Sequence, residues 1–160
     1  MIKIIIFCLI LINTSFTSAE TLGNDTGLKI PRFVSLKSDN SNLRVGPSEN
    51  YPVKLKYIVA DMPVEIIDEY KNWRKIIDYE ENEGWIHKSL IKGKRFAIVN
   101  TPYQEGLQVF NKPKGNNIGK IGKRNILEID TCLKNWCKIK YKKNKGWINK
   151  MNLWGIYEKE

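Results

Sequence analysis

The 160-residue chain is short of the residues from which most reaction centres are built. It has one histidine, His87, and three cysteines, Cys8, Cys132 and Cys137. A single imidazole cannot supply a histidine-based metal cluster. No serine or cysteine stands in a pattern that pairs it with His87 as a nucleophile. Neither a phosphate-cradling glycine loop with its lysine nor a dinucleotide fingerprint is present. The carboxylates are not grouped with a recognisable acid–base partner, so a non-enzyme with no cofactor and no metal is expected. Helical periodicity is missing as well: no window keeps an apolar stripe at helical spacing for a useful length.

Long apolar runs are also lacking, and the one at residues 4–12 is too short to cross a bilayer. Lys3 precedes it, and Thr17-Ser18-Ala19 follows as a small-residue cleavage site. Residues 1–19 therefore read as a signal peptide cleaved after Ala19, giving a periplasmic or secreted protein without a stable membrane anchor. Phe7 before Cys8 argues against lipidation, which wants a small residue there. Removal of Cys8 leaves Cys132 and Cys137. An even, closely spaced pair in an oxidising compartment reads as a disulfide, with two buried thiols as the alternative.

Positive charge is abundant, at +10 net, but lysine outnumbers arginine 22 to 5, and isoleucine (22) and asparagine (16) are also common. Such a profile is compatible with coding bias. Its distribution is more telling. Residues 33–91 carry 8 Lys+Arg against 10 Asp+Glu, whereas residues 92–160 carry 16 against 5. The second half can attract an anionic partner over distance. For an exported protein that means envelope polymer or lipid headgroups, and not nucleic acid.

The chain repeats itself. Asn72-Trp73-Arg74-Lys75-Ile76 followed by Gly84-Trp85-Ile86 returns as Asn135-Trp136-Cys137-Lys138-Ile139 followed by Gly146-Trp147-Ile148. Leu43-Arg44-Val45 is matched to Leu107-Gln108-Val109, and Val64-Glu65-Ile66 to Ile126-Leu127-Glu128, the offsets lying between 62 and 64 residues. A constant period over two copies predicts two small domains. A sixty-residue domain buries only about 60% of the surface its unfolded chain exposes, so the copies should touch or carry a staple. Short strands with frequent turn signals make the class all-β, each copy a small antiparallel barrel.

The expected boundaries are a flexible lead-in at 20–32, a first barrel at 33–99, a linker at 100–106 and a second barrel at 107–160. Residues 96–99 are placed as the last strand of the first barrel, and residues 46–52 and 111–122 as long loops. Trp85 and Trp147 are read as core. Cys132 and Cys137 flank the second hairpin and would fall opposite each other. Asp68 and Arg74 are taken as their counterparts, leaving the first copy without a staple.

Asn42-Leu43-Arg44-Val45-Gly46-Pro47-Ser48, a tryptophan before a strand, and Gly84-Trp85-Ile86-His87 together resemble the bacterial SH3-like domain. The second copy lacks the Gly-Pro-Ser words but keeps the tryptophan and Gly146-Trp147-Ile148, and its end resembles exported tandem members. The resemblance spans residues 33–158. It implies two five-stranded SH3-like barrels, each with a groove between the long first loop and the hairpin after the second strand. It also implies binding, either of cell-wall peptide or glycan or of an envelope protein. Tyr51 and Trp73 are expected to wall the first groove, with Tyr70 and Arg44 as further candidates. Trp136 marks the second, poorer groove.

Overall fold

The computed structural model describes residues 21–159, so the signal segment at residues 1–19 and its cleavage site lie outside the described residues. Two short strands, β1 (Thr21–Leu22) and β2 (Lys29–Ile30), form a hairpin. The first unit follows as β3 (Arg32–Leu36), β4 (Ser41–Arg44), β5 (Val53–Tyr57), β6 (Pro63–Tyr70), β7 (Trp73–Ile77), β8 (Glu83–His87) and β9 (Ile91–Lys92). The second comprises β10 (Phe96–Val99), β11 (Leu107–Phe110), β12 (Asn117–Ile121), β13 (Ile126–Cys132), β14 (Trp136–Tyr141), β15 (Asn144–Asn149) and β16 (Leu153–Trp154). A single 3₁₀ turn precedes the last strand of each unit, at Lys88–Leu90 and Lys150–Asn152.

The two sheets have the same strand order, β5-β4-β8-β7-β6-β3-β9 and β12-β11-β15-β14-β13-β10-β16. The protein is thus all-β and doubled. Five consecutive strands, β4 to β8 or β11 to β15, make the body of each barrel, and a strand on either flank in sequence extends it. Each unit has its own core. Leu36, Leu43, Val64, Ile66, Ile76 and Ile86 fill the first. Val99, Val109, Leu127, Ile139, Ile148 and the Cys137 side chain are central to the second. Period-two alternation sets which side chains point inward: in β8, Gly84 and Ile86 are buried while Trp85 and His87 are only half-buried.

Several expectations are corrected by this topology. Phe96–Val99 pairs with β13 and β16, so it opens the second barrel and does not close the first; the seam lies between β9 and β10. An apolar four-residue run carries no mark of which neighbour it will join. The segment read as a loop at 111–122 contains a whole strand, β12, and β5 directly follows the loop at 46–52, their lysines and glycine hiding both. Trp85 and Trp147 stand on the outer parity of their strands and are half-buried, not core.

The match of Leu43 to Leu107 is out of register by two. Arg44 pairs with Trp85 as Phe110 pairs with Trp147, which makes Leu43 equivalent to Val109 and Arg44 to Phe110. The repeated glycines agree. A Cβ on Gly84 would lie 2.8 Å from Leu43 Cγ and from the Arg44 carbonyl, and one on Gly146 would collide with Val109. Glycine is required there because two strands cross at close approach.

The described part of the lead-in, residues 21–32, is an ordered strap, not a flexible tail. Its turn folds over Glu69, which is buried. The Glu69 carboxylate accepts hydrogen bonds from the Thr26 amide (2.9 Å) and hydroxyl (2.8 Å), the Asp25 amide (3.2 Å) and Arg32 Nη2 (2.6 Å), and faces Arg74 Nε at 3.4 Å. Glu69 sits opposite Arg74 in the β6–β7 hairpin, as Cys132 sits opposite Cys137 in β13–β14. Each hairpin has a register shift just before this pair, at Ile66/Asp68 and Ile129/Thr131. Glu69 stands at the same offset of 63 residues from Cys132 as Arg74 does from Cys137, so the counterpart of Cys132 is Glu69 and not Asp68, and the first unit does have a staple, an ionic one. Cys132 and Cys137 form a disulfide with a Cα–Cα distance of 4.1 Å.

The units touch through aromatic rings. Phe33 on β3 packs against Trp154 (5.1 Å) and Tyr157 (4.7 Å), and Tyr79 meets Trp154 at 5.9 Å. Tyr157 donates to Glu65 at 2.6 Å, and Arg124 faces Glu80 at 3.4 Å.

Candidate functional site

In the first unit, β4, the β4–β5 loop, the start of β7 and the end of β8 converge on a cleft of about 220 Å³. Arg44, Glu49, Trp73 and His87 supply its chemistry, with Asn42 and Ser89 beside them. Trp73 and His87 are register partners whose rings meet edge to face at 5.3 Å. His87 Nδ1 caps the 3₁₀ turn by accepting from the Ser89 amide at 3.3 Å, and it lies 2.7 Å from Ser89 Oγ. The histidine is therefore oriented by its own turn. A flat indole beside a guanidinium and a carboxylate can stack on an apolar or sugar face while pairing with charges at its edge.

Two anchors hold this cleft. Arg44 Nη1 donates to the Tyr51 carbonyl at 2.7 Å, tying the strand end to the long loop. Arg74, buried next to Trp73, donates to the carbonyls of Lys71 (2.9 Å) and Trp73 (2.8 Å) and so fixes the hairpin end from which the indole projects. Burial would raise the Glu69 carboxyl. The hydrogen bonds from Arg32 and Thr26 and the Arg74 charge outweigh it, holding the group at about 2. At the far end of the barrel, Tyr57 donates to Asp78 at 2.9 Å, and burial with the Asp78 charge raises its hydroxyl far above the usual range.

The expected residues are distributed as follows. Arg44 and Trp73 line the same cleft. Tyr51 is 46% exposed and does not line it. Its ring lies on Gly46, where a Cβ would be 2.6 Å from it. Tyr70 is the register partner of Trp73 at the hairpin end, 48% exposed and also outside the cleft lining. Trp136 is half-buried in the second unit, where Phe110 packs edge to face on it at 5.2 Å. Because Phe110 stands where the first unit has Arg44, the Trp136 indole meets a phenyl ring from β11, whereas the Trp73 indole meets the His87 ring from β8 and lines the cleft with Arg44. Sequence reasoning missed Glu49 and His87. For His87 the signal was available, since it is the register partner of Trp73 once the turn between β7 and β8 is counted.

Two stacked β-barrels, each with a Gly-Trp-Ile strand crossing its first strand, define an SH3-like tandem protein. The family model described as bacterial SH3 domain matches residues 37–93 and 118–155, more than half of the chain, and the chain belongs to that family. No curated protein matches it. Among solved structures it is similar to NlpC1 from Trichomonas vaginalis, at 15% identity and a TM-score of 0.33. The alignment covers 82% of this chain and 48% of that one, so the chain spans about half of its length.

Proposed function

We propose that the protein is an exported, non-catalytic binding module that docks on cell-wall material, peptidoglycan peptide or glycan, through the cleft of the first unit. The observation that carries this reading is the difference between equivalent positions: Trp73 borders an open cleft with Arg44 and Glu49, whereas Phe110 packs on Trp136. Peptidoglycan stems carry both carboxylates and amines, which Arg44 and Glu49 can pair with while the indole takes the sugar or alkyl face. Membership in the bacterial SH3 domain family supports binding over chemistry. The signal-like residues 1–19 support export. Co-sedimentation with purified peptidoglycan tests it: the protein pellets with the wall, and Trp73→Ala releases it. No sedimentation at low salt would remove the reading.

A second reading, an adaptor for another envelope protein, is favoured by the exposed Val45, Tyr51 and Val53 on the rim of the same loop. It predicts one reproducible cross-linked partner from an envelope extract, with no affinity for bare wall.

A further inference from the structure

A second groove lies in the other unit. It lies between the edge strand β12 and the β14–β15 turn, with a volume of about 460 Å³. Ile118, Ile139 and Tyr141 form its apolar part, and Lys120, Lys142 and Lys145 its charged part. No carboxylate lines it. Lys120 pairs with the exposed Glu105, while Lys142 and Lys145 form no ion pair among the described residues.

The equivalent place in the first unit is filled and oppositely charged. There Tyr57, the register counterpart of Ile121, is buried and reaches Asp78, and the turn carries Glu80, Glu81 and Glu83. Ile121 stands where the first unit has Tyr57 and Tyr141 where it has Asp78, so the ring moves to the neighbouring strand, and the change of the acidic turn to Lys142, Lys143 and Lys145 reverses the sign of the place.

The cations continue beyond the groove. Lys112 and Lys114 precede β12 and Lys123 follows it, and residues 106–127 and 131–157 contain no Asp or Glu. A five-residue strand covers roughly 13–17 Å, so the lysines at its two ends meet successive charges of a chain and not one small ion. Lysine acts as a point charge suited to phosphate, whereas planar carboxylate recognition favours the arginine fork.

We propose that this groove binds a linear phosphate-bearing polyanion, its phosphates along the lysines and its connecting atoms against Ile118 and Tyr141. The site is separate from the Trp73 cleft, and Trp73→Ala leaves it intact.

The test is fluorescence anisotropy of labelled short-chain inorganic polyphosphate titrated with the full chain at several salt concentrations. Binding is expected to weaken steeply with salt. Lys142→Glu/Lys145→Glu should lose about ten-fold or more in affinity and flatten the salt slope. Lys54→Glu/Lys56→Glu, on the matching strand of the first unit, should lose less than about two-fold because neither lysine lines the groove. The neutral pair Lys142→Gln/Lys145→Gln, with an unchanged unfolding midpoint, serves if the acidic pair perturbs the fold. Equal losses in both strands would reduce the effect to net charge and overturn the proposal. So would equal affinity for polyglutamate, or binding to phosphatidylglycerol vesicles without binding to the polymer.

Discussion

The hairpin neck beside Trp73 and the one beside Trp136 occupy the same place in the two barrels and are closed by different chemistry. In the first, Glu69 and Arg74 face each other and recruit Arg32 and the strap turn at Thr26. In the second, the facing pair is the Cys132–Cys137 disulfide. The ionic solution is larger: it uses a carboxylate with five donors and enlists a segment more than forty residues away in sequence. The covalent solution is local. Both fix the strand that carries a tryptophan, so the doubled fold can vary its fastening while keeping the geometry of the site.

Removing the ionic fastening should have the largest effect. Glu69→Ala leaves Arg32 and Arg74 without their carboxylate and strips the strap amides of their acceptor. A loss of about 3–5 kcal/mol is expected in urea unfolding, as for breaking a buried pair from one side. A loss below about 1 kcal/mol would mean that the charges are solvated in the folded protein and that the comparison is misdrawn.

Acid sharpens the same contrast. The Glu69 carboxyl is held near 2 against an ordinary value of 4.5. A depressed carboxyl stabilises the fold above its unfolded value and ceases to do so as pH falls through its folded value. About 3 kcal/mol should therefore disappear between about pH 4.5 and pH 2. Hydrogen exchange of the β6–β7 amides followed down that range should show them opening before the β13–β14 amides, whose disulfide does not titrate there. Simultaneous opening of both hairpins would contradict this.

Breaking the covalent fastening should cost less. Cys132→Ser/Cys137→Ser is expected to lower stability by about 2 kcal/mol, the chain-entropy value for so short a loop, with no change in its acid dependence. Protection at β6–β7 should be unaltered. Smaller still is the expected effect of Trp73→Ala on stability, about 1 kcal/mol for a half-buried ring, while wall binding is lost. Trp136→Ala should spare binding at a similar cost, because each indole is half-buried and meets one neighbouring ring edge to face.

The repeat, the strand-rich class and the cysteine pair could be read from the sequence because each depends on local pattern: Trp and Gly-Trp-Ile words at a fixed offset, alternation, and two cysteines five residues apart. What could not be read depends on contacts between distant segments. Nothing in residues 23–28 announces that their amides surround Glu69, so the strap looks like a polar tail. Glu69 itself stands at the 63-residue offset that relates Trp73 to Trp136, so the facing pair was legible from spacing, whereas its recruitment of Arg32 and the strap was not. Likewise Leu43-Arg44-Val45 and Leu107-Gln108-Val109 share a Leu-x-Val pattern, yet the strand crossing at Gly84 and Gly146 sets the true register two residues on. That shift conceals the Arg44-to-Phe110 exchange, on which the difference between the two tryptophan sites rests. Tyr51 was expected in the cleft from loop position alone, and its packing on Gly46 turns it elsewhere.

The central claim is that the first barrel grips wall material at Trp73 and the second does not. Titration of soluble peptidoglycan fragments into isotope-labelled full-length protein, followed by NMR, reads it residue by residue. The account predicts that the Trp73 indole and His87 resonances move together and saturate, with Trp136 unmoved. Shifts centred on Trp136, or none at Trp73, would contradict it.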